Sequence, residues 1–164
     1  MAVYVITAST ALCGVAWTGT SPGDPGSQTV AGTITSSTDI SAMISEVSLT
    51  VDADIIDFTH MAANGWRIKR TGLKAGSGSI NFNQDFAASQ VDALFGLGGT
   101  FGFASASTLY LDLKATSTAR ASTNPSYVCQ FLNSGYTPIT GAVGAGAMSP
   151  FSFETTGQIA RLAS

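Results

Sequence analysis

Charge is what this sequence has least of. Of its 164 residues, Lys and Arg supply 7 and Asp and Glu 10, so charged side chains make up 10%, against roughly 25% in an average soluble protein. The formal net charge of −3 lacks the basic footprint with which proteins grip nucleic acid through its phosphates. Histidine occurs once, as His60, and cysteine twice, as Cys13 and Cys129. That is too little for a disulfide framework, and for a four-ligand zinc site without distant carboxylates; the two thiols are expected free and buried, as in a reducing compartment. No apolar run approaches the roughly 20 residues that cross a bilayer, so no membrane anchor is expected. Met1 to Ile6 carries no Lys or Arg, unlike the basic region of a secretory leader, and Thr10-Ala11-Leu12-Cys13 is a poor lipoprotein processing site. There is no N-glycosylation sequon, since Asn124 precedes Pro125.

What the sequence does have is hydroxyl and apolar surface. Hydrophobic residues reach 45%, beside 20 Ser, 20 Thr and 18 Gly, which excludes intrinsic disorder. The length suits one domain, residues 1–164, with a core of its own. A surface built from hydroxyls with so few ions is a solubility risk for an isolated chain, and such surfaces are commonly covered by other subunits. Composition therefore favours an assembly.

Alternation with a period of two dominates the chain. Val47, Leu49, Val51, Ala53 and Ile55 alternate with Glu46, Ser48, Thr50, Asp52 and Asp54, which predicts a long strand with one apolar and one acidic-hydroxyl face. At about 3.3 Å per residue it is longer than a usual strand and is expected to project beyond the core. Trp66 and Ile68 predict a second strand, and Ile80 and Phe82 a third after a turn at Ala75-Gly76-Ser77-Gly78. Ala87, Val91, Leu94 and Phe95 have helical spacing, predicting one short α-helix over about 86–95, with Ser89 and Asp92 as a capping pair and Gly96 ending it. Strands are expected at Phe101/Phe103, Leu109 to Leu113, Tyr127 to Phe131 and Phe151/Phe153, with short ones at Tyr4-Val5-Ile6 and Gly32-Thr33-Ile34. The stretches 19–32, 115–126 and 135–146 read as Gly/Pro/Ser/Thr-rich loops. The fold class is mainly β, a barrel or sandwich of two packed sheets with a single helix.

Catalytic constellations are missing. His60 is the one histidine available to a nucleophilic triad, and no G-x-S-x-G elbow accompanies it. Asp52, Asp54 and Asp57 are the densest acidic cluster, without EF-hand spacing or its central Gly; no aromatic stripe marks a sugar cleft for a carboxylate pair. Gly96-Leu97-Gly98-Gly99 and the glycine-rich stretch 141–146 lack the strand-before, helix-after context of phosphate loops. No catalytic, metal or cofactor residues are expected. Arg67, Lys69, Arg70 and Lys74 hold four of the seven bases, close to Asp52, Asp54 and Asp57, so opposite charges can meet within a hairpin or between copies.

The run Val51 to Phe86 resembles a tail tube protein of a long-tailed bacteriophage. The features that carry the likeness are Asp57-Phe58-Thr59, then Gly65-Trp66-Arg67, then Gly72-Leu73-Lys74-Ala75-Gly76-Ser77-Gly78-Ser79-Ile80, about a third of the chain. The resemblance implies a barrel-like sandwich with one flanking helix, subunits joined into hexameric rings, and rings stacked into a hollow tube through which the genome passes. It implies self-association, contacts with other tail proteins such as the tape measure and terminator, DNA that passes without specific binding, and a place in the virion tail after synthesis in the host cytoplasm.

A lumen that DNA traverses repels phosphates, which makes Glu46, Ser48, Thr50, Asp52 and Asp54 the lumen-facing candidates. Asp57, Thr59, His60, Asn64, Arg67, Lys69 and Arg70, around the hairpin loop, are the candidates for contacts between rings or subunits. Two other readings stay open on the sequence: another β-rich phage structural protein such as a capsid decoration or tail terminator protein, and a secreted β-sandwich that binds or hydrolyses glycans.

Overall fold

The computed structural model describes residues 10–23, 30–59, 66–103 and 108–163; the strand expected at Tyr4-Val5-Ile6 lies outside them. The elements are β1 (Thr10–Gly14), β2 (Ala16–Thr20), β3 (Ala31–Thr35), β4 (Thr38–Asp39), a single 3-10 turn (Ser41–Met43), β5 (Ile44–Asp57), β6 (Lys69–Asn83), α1 (Val91–Phe95), β7 (Leu109–Lys114), β8 (Ser126–Tyr136), β9 (Met148–Thr155) and β10 (Ala160–Leu162). Among the described residues the fold is mainly β, with two sheets and one short helix. The larger sheet is antiparallel in the order β4-β1-β7-β8-β9-β6-β5, and β10 pairs with β8. The smaller sheet is β2-β3.

Connectivity forces the larger sheet to curl. Its two edges, β4 and β5, are consecutive in the chain, and from Asp39 to Ile44 an extended backbone spans at most about 18 Å. Seven strands laid flat would stand about 29 Å across. The sheet therefore rolls into an incompletely closed barrel. The connecting turn is pinned to β1, where the Ile40 amide donates to the Ala11 carbonyl at 2.9 Å and the Ala11 amide donates to Ser41 Oγ at 2.8 Å.

Inside the roll lies a cluster of phenylalanines. Phe95 of α1 sits 4.6 Å from Phe82 of β6 and 5.0 Å from Phe151 of β9, centroid to centroid, and Phe131 of β8 lies 5.1 Å from Phe153. The tilted and edge-on geometries are those aromatic pairs favour. Cys13, Leu111 and Cys129 form one row across β1, β7 and β8, so two strand spacings, about 10 Å, separate the thiols. Both are free and buried. Burial pushes the Cys129 thiol up to about 12 and raises that of Cys13 as well, leaving both protonated and inert.

The small sheet packs on the outer face of β7. Trp17 lies 5.6 Å from Tyr110, and Arg120 bridges the layers, its Nη2 2.6 Å from the buried Asp112 Oδ2 and its Nη1 donating to the Gly32 carbonyl at 2.9 Å. Gly32, within the strand expected at Gly32-Thr33-Ile34, forms a cross-strand pair with Gly19, expected in a loop. Both have positive φ, and a Cβ on Gly32 would fall 1.8 Å from the Thr18 carbonyl oxygen.

Four expectations are corrected. Ala75-Gly76-Ser77-Gly78 is no turn: β6 runs through it, because the glycines make room for side chains from β9 and the segment after it. A Cβ on Gly76 would lie 2.5 Å from Thr155 Oγ1, and one on Gly78 2.3 Å from Phe153 Cζ and 2.7 Å from the Ser48 carbonyl oxygen. Trp66 and Ile68 precede β6 rather than forming a separate strand. The helix starts at Val91, not 86: Asp85 Oδ1 accepts the Ala87 amide at 2.8 Å, an Asx turn that competes with helix, and Ser89 has φ +63 and caps nothing. Gly96 ends the helix as expected, its amide donating to the Asp92 carbonyl at 2.9 Å. Phe101 and Phe103 lie in turns, the Phe101 amide being taken by the Leu94 carbonyl at 2.7 Å.

Gly78→Ala should destabilise the subunit by about 1–3 kcal/mol, the usual cost of forcing volume into filled space, read as a lower urea midpoint with unchanged slope. A glycine serving only a turn at this place would tolerate the change.

Candidate functional site

The β5–β6 hairpin is the site that both the chain pattern and the fold single out. Val47 and Leu49 are partly buried against the core, but from Thr50 to Asp57 every residue of β5 is exposed. Eight residues of strand reach about 26 Å. Val51 and Ile55, expected to turn into the core, lie beyond it, at 57% and 71% exposure.

Two irregularities set which side chains share a face. Ala53 pairs with Lys74 and Ile55 with Thr71, so the extra residue sits in β6, where Gly72 and Leu73 together face Asp54. The alternation of β5 is uninterrupted from Glu46 onward. Glu46, Ser48, Thr50, Asp52 and Asp54 therefore share one exposed face. Glu46 accepts from Asn81 Nδ2 at 3.0 Å, and the hydroxyls of Ser48 and Ser79 lie 2.9 Å apart.

By register the same face continues through Ser77, Ser79 and Asn81 of β6 to Ser152 and Glu154 of β9. Along this register, with Ala75 opposite Asp52 and Pro150 opposite Asn81, it holds acids, hydroxyls and an amide but no base; Lys74 pairs with Ala53 and so points to the reverse face. Those additional residues were readable as alternation in the sequence, but which strand lay beside which was not.

Toward the tip the face changes chemistry. Ile56 and Phe58 follow Asp54 on it, and the Arg70 guanidinium lies 5.6 Å from the Phe58 ring centroid, a cation–π contact. Gly72 leaves room for Ile56, whose Cδ1 would be 2.8 Å from a Cβ there. Ile55 lies on the reverse face. Trp66 and Leu73 are 79% and 82% exposed. The projecting end thus exposes apolar side chains on both faces, Ile56 and Phe58 beside Arg70 on one and Ile55 beside Asp57, Lys69 and Thr71 on the other.

At its end the hairpin is clasped by Asp57 and Thr59. Asp57 Oδ1 accepts the Thr59 amide at 2.8 Å and the Thr59 hydroxyl, while Thr59 Oγ1 accepts the Ile68 amide at 3.1 Å. The Phe58 amide donates to the Ile68 carbonyl at 2.8 Å. The Thr59 hydroxyl, then the Thr59 amide, and more weakly Lys69 opposite in the register, hold the Asp57 carboxyl below the usual aspartate range. Of the inter-subunit candidates, then, Asp57 and Thr59 bond to each other, Arg70 packs on Phe58, and Arg67 and Lys69 are exposed. His60 and Asn64 lie outside the described residues. Among the described residues no group of three or more His, Cys, Asp or Glu could hold a metal.

Comparison of the sequence with protein-family models and with curated proteins gives no match. Solved structures do match. A chain of the tail of an empty gene transfer agent particle, determined by helical refinement with C6 symmetry, superposes with a TM-score of 0.56 at 13% identity, covering 76% of this chain and 84% of that one. A chain of the virion of a native gene transfer agent particle does so with a TM-score of 0.56 at 15% identity, covering 77% and 89%. This chain shares its fold with these gene transfer agent chains.

A carbon-detected titration of Asp57 should give a midpoint below the ordinary aspartate value of about 3.9, and Thr59→Val should move it up. Because the folded value is depressed, the stabilisation the clasp lends the hairpin end is present above the unfolded value and is lost as pH falls through the folded one.

Proposed function

We propose that this chain is the tube subunit of a phage-like tail, a single-domain structural protein that joins copies of itself into rings and stacks the rings into a hollow conduit for DNA. The observation that carries the reading is the hairpin end, where Val51, Ile55, Ile56, Phe58, Trp66 and Leu73 are exposed large apolar side chains uncovered by the subunit's own core. Large apolar side chains exposed together on a projecting ribbon mark a surface that a partner covers. The tail neighbour with C6 symmetry supports a ring of six.

The acidic and hydroxyl face Glu46, Ser48, Thr50, Asp52 and Asp54 is the lumen lining in this reading. Repeated round each ring, it makes a bore that repels phosphates, so DNA slides without binding. Asp57, Thr59, His60, Asn64, Arg67, Lys69 and Arg70 lie at or beside the contact between rings, with Asp57 and Thr59 shaping the loop rather than reaching across. The subunit has no catalytic role, meets the tape measure and terminator proteins at the ends of the tube, and resides in the virion tail.

Two experiments test this. Ile55→Glu should leave the subunit folded, with stability within about 0.5 kcal/mol at this exposed position, yet abolish the tubes that negative-stain images of the unaltered protein should show. Normal tubes from the variant, or a monomer from the unaltered chain at high concentration, would overturn the proposal. Tubes carrying Asp52→Lys and Asp54→Lys should retain DNA in a salt-dependent way; a bore that releases DNA as before would remove these residues from the lumen.

A further inference from the structure

The two ends of the subunit carry opposite charge. At the hairpin end, among the described residues from Ile55 to Leu73, Arg67, Lys69 and Arg70 stand against Asp57 alone. The other end is made by the loop after β6, α1 with the turn that follows it, and the connection from β8 to β9. Gln84 ties these together, its Nε2 donating to the Pro138 carbonyl at 2.6 Å and its amide to the Ala147 carbonyl at 2.9 Å. Residues 84–100 and 137–147 hold Asp85 and Asp92 and no base, and Phe86, Leu97, Ile139 and Val143 are exposed there. Between α1 and the end of β8 lies a hollow lined by Leu97, Gly98, Tyr136 and Pro138, with Asp92 as its one charged lining residue. Asp92 Oδ1 accepts the Tyr136 hydroxyl at 3.3 Å. Among the described residues the one ion pair is Asp112 with Arg120, so neither Asp92 nor the bases of the hairpin end are paired within the subunit.

We infer that this hollow receives the hairpin end of a second copy, with the Trp66 indole set against Leu97, Tyr136 and Pro138 and the Arg67 guanidinium paired with Asp92. Three observations support this occupant. The hairpin end is net positive and the α1 end net negative, so like ends repel and unlike ends attract. Trp66 and Arg67 are adjacent and both exposed, and Trp and Arg are the residues that most often anchor a protein contact by filling a pocket on the partner. The fifteen residues of β6 hold the two ends about 45 Å apart, which keeps a subunit's hairpin end out of its own hollow. A contact between two unlike surfaces repeats from copy to copy without closing, as the stacking of rings requires. The inference rests on the tube reading and names the surface that the hairpin end meets.

Exchanging the charges tests it. Leu97→Glu and Arg67→Glu, both at exposed positions, should each leave the urea midpoint unchanged and abolish the tubes seen in negative stain. Joining Arg67→Glu with Asp92→Lys in one chain should restore them. Tubes that persist in either single variant, or a folded double variant that forms none, would overturn the inference, while tubes from the unaltered chain keep the tube reading standing. An unaltered chain that forms no tubes overturns both. Should Asp92→Lys fail to fold, a cross-link in the unaltered protein decides. In tubes assembled from mixed 14N and 15N subunits, a carbodiimide, which joins lysine to carboxylate, should link Lys69 to Asp85 or Asp92 in peptides of mixed label. Absence of that link, or links carrying one isotope only, would overturn the inference.

Discussion

β5, fourteen residues long, pairs with the fifteen-residue β6 from Ile44 to Asp57, and the core covers only the first part of that ladder. Everything else in the molecule is arranged around this mismatch between hydrogen bonding and burial. Backbone pairing keeps the strands together where no core supports them, while the near half is held by Val47, Leu49, Ile80 and Phe82 against the phenylalanine cluster. An isolated two-stranded ribbon is marginal in water. Here it persists as the extension of a larger sheet, with Asp57 and Thr59 fastening its far end.

The rest of the fold serves as the base from which the ribbon projects. The five-residue helix contributes Val91, Leu94 and Phe95 to the core, filling the interior of the curled sheet with rings from one side. On the opposite face of β7, the Asp112–Arg120 pair ties the loop after β7 to the small sheet. Truncating either partner would leave a charge with little water around it, which is far costlier than loss of an exposed pair.

Much of this was legible in the sequence, for reasons that differ by element. The strand at 47–55 announced itself because its two faces live in different surroundings over the core, and alternation records that difference. Its apolar positions misled beyond Leu49, since Val51 and Ile55 signal a buried face without saying whether the chain's own core or another surface buries it. Gly76 and Gly78 read as a turn because glycine marks both bends and close packing, and only the position of Phe153 and Thr155 tells them apart. The helix was overextended because Ala87 kept the period while Asp85 had already committed the backbone to a turn. Of the candidate site, the acidic-hydroxyl face was readable from alternation alone. The contribution of β9 to it was not, since Ser152 and Glu154 lie far away in sequence and reach that face only through strand order.

The additional residue opposite Asp54 has an effect out of proportion to its size. A bulge of this kind sharpens the local twist of a ribbon, so Gly72 and Leu73 fix the direction in which the tip points relative to the barrel. In any polymer joined through that tip, a small angular error is inherited by each successive layer. The handedness and pitch of a long filament would then be written in a single backbone irregularity, and a change there would alter the geometry of the polymer while leaving the individual subunit almost untouched.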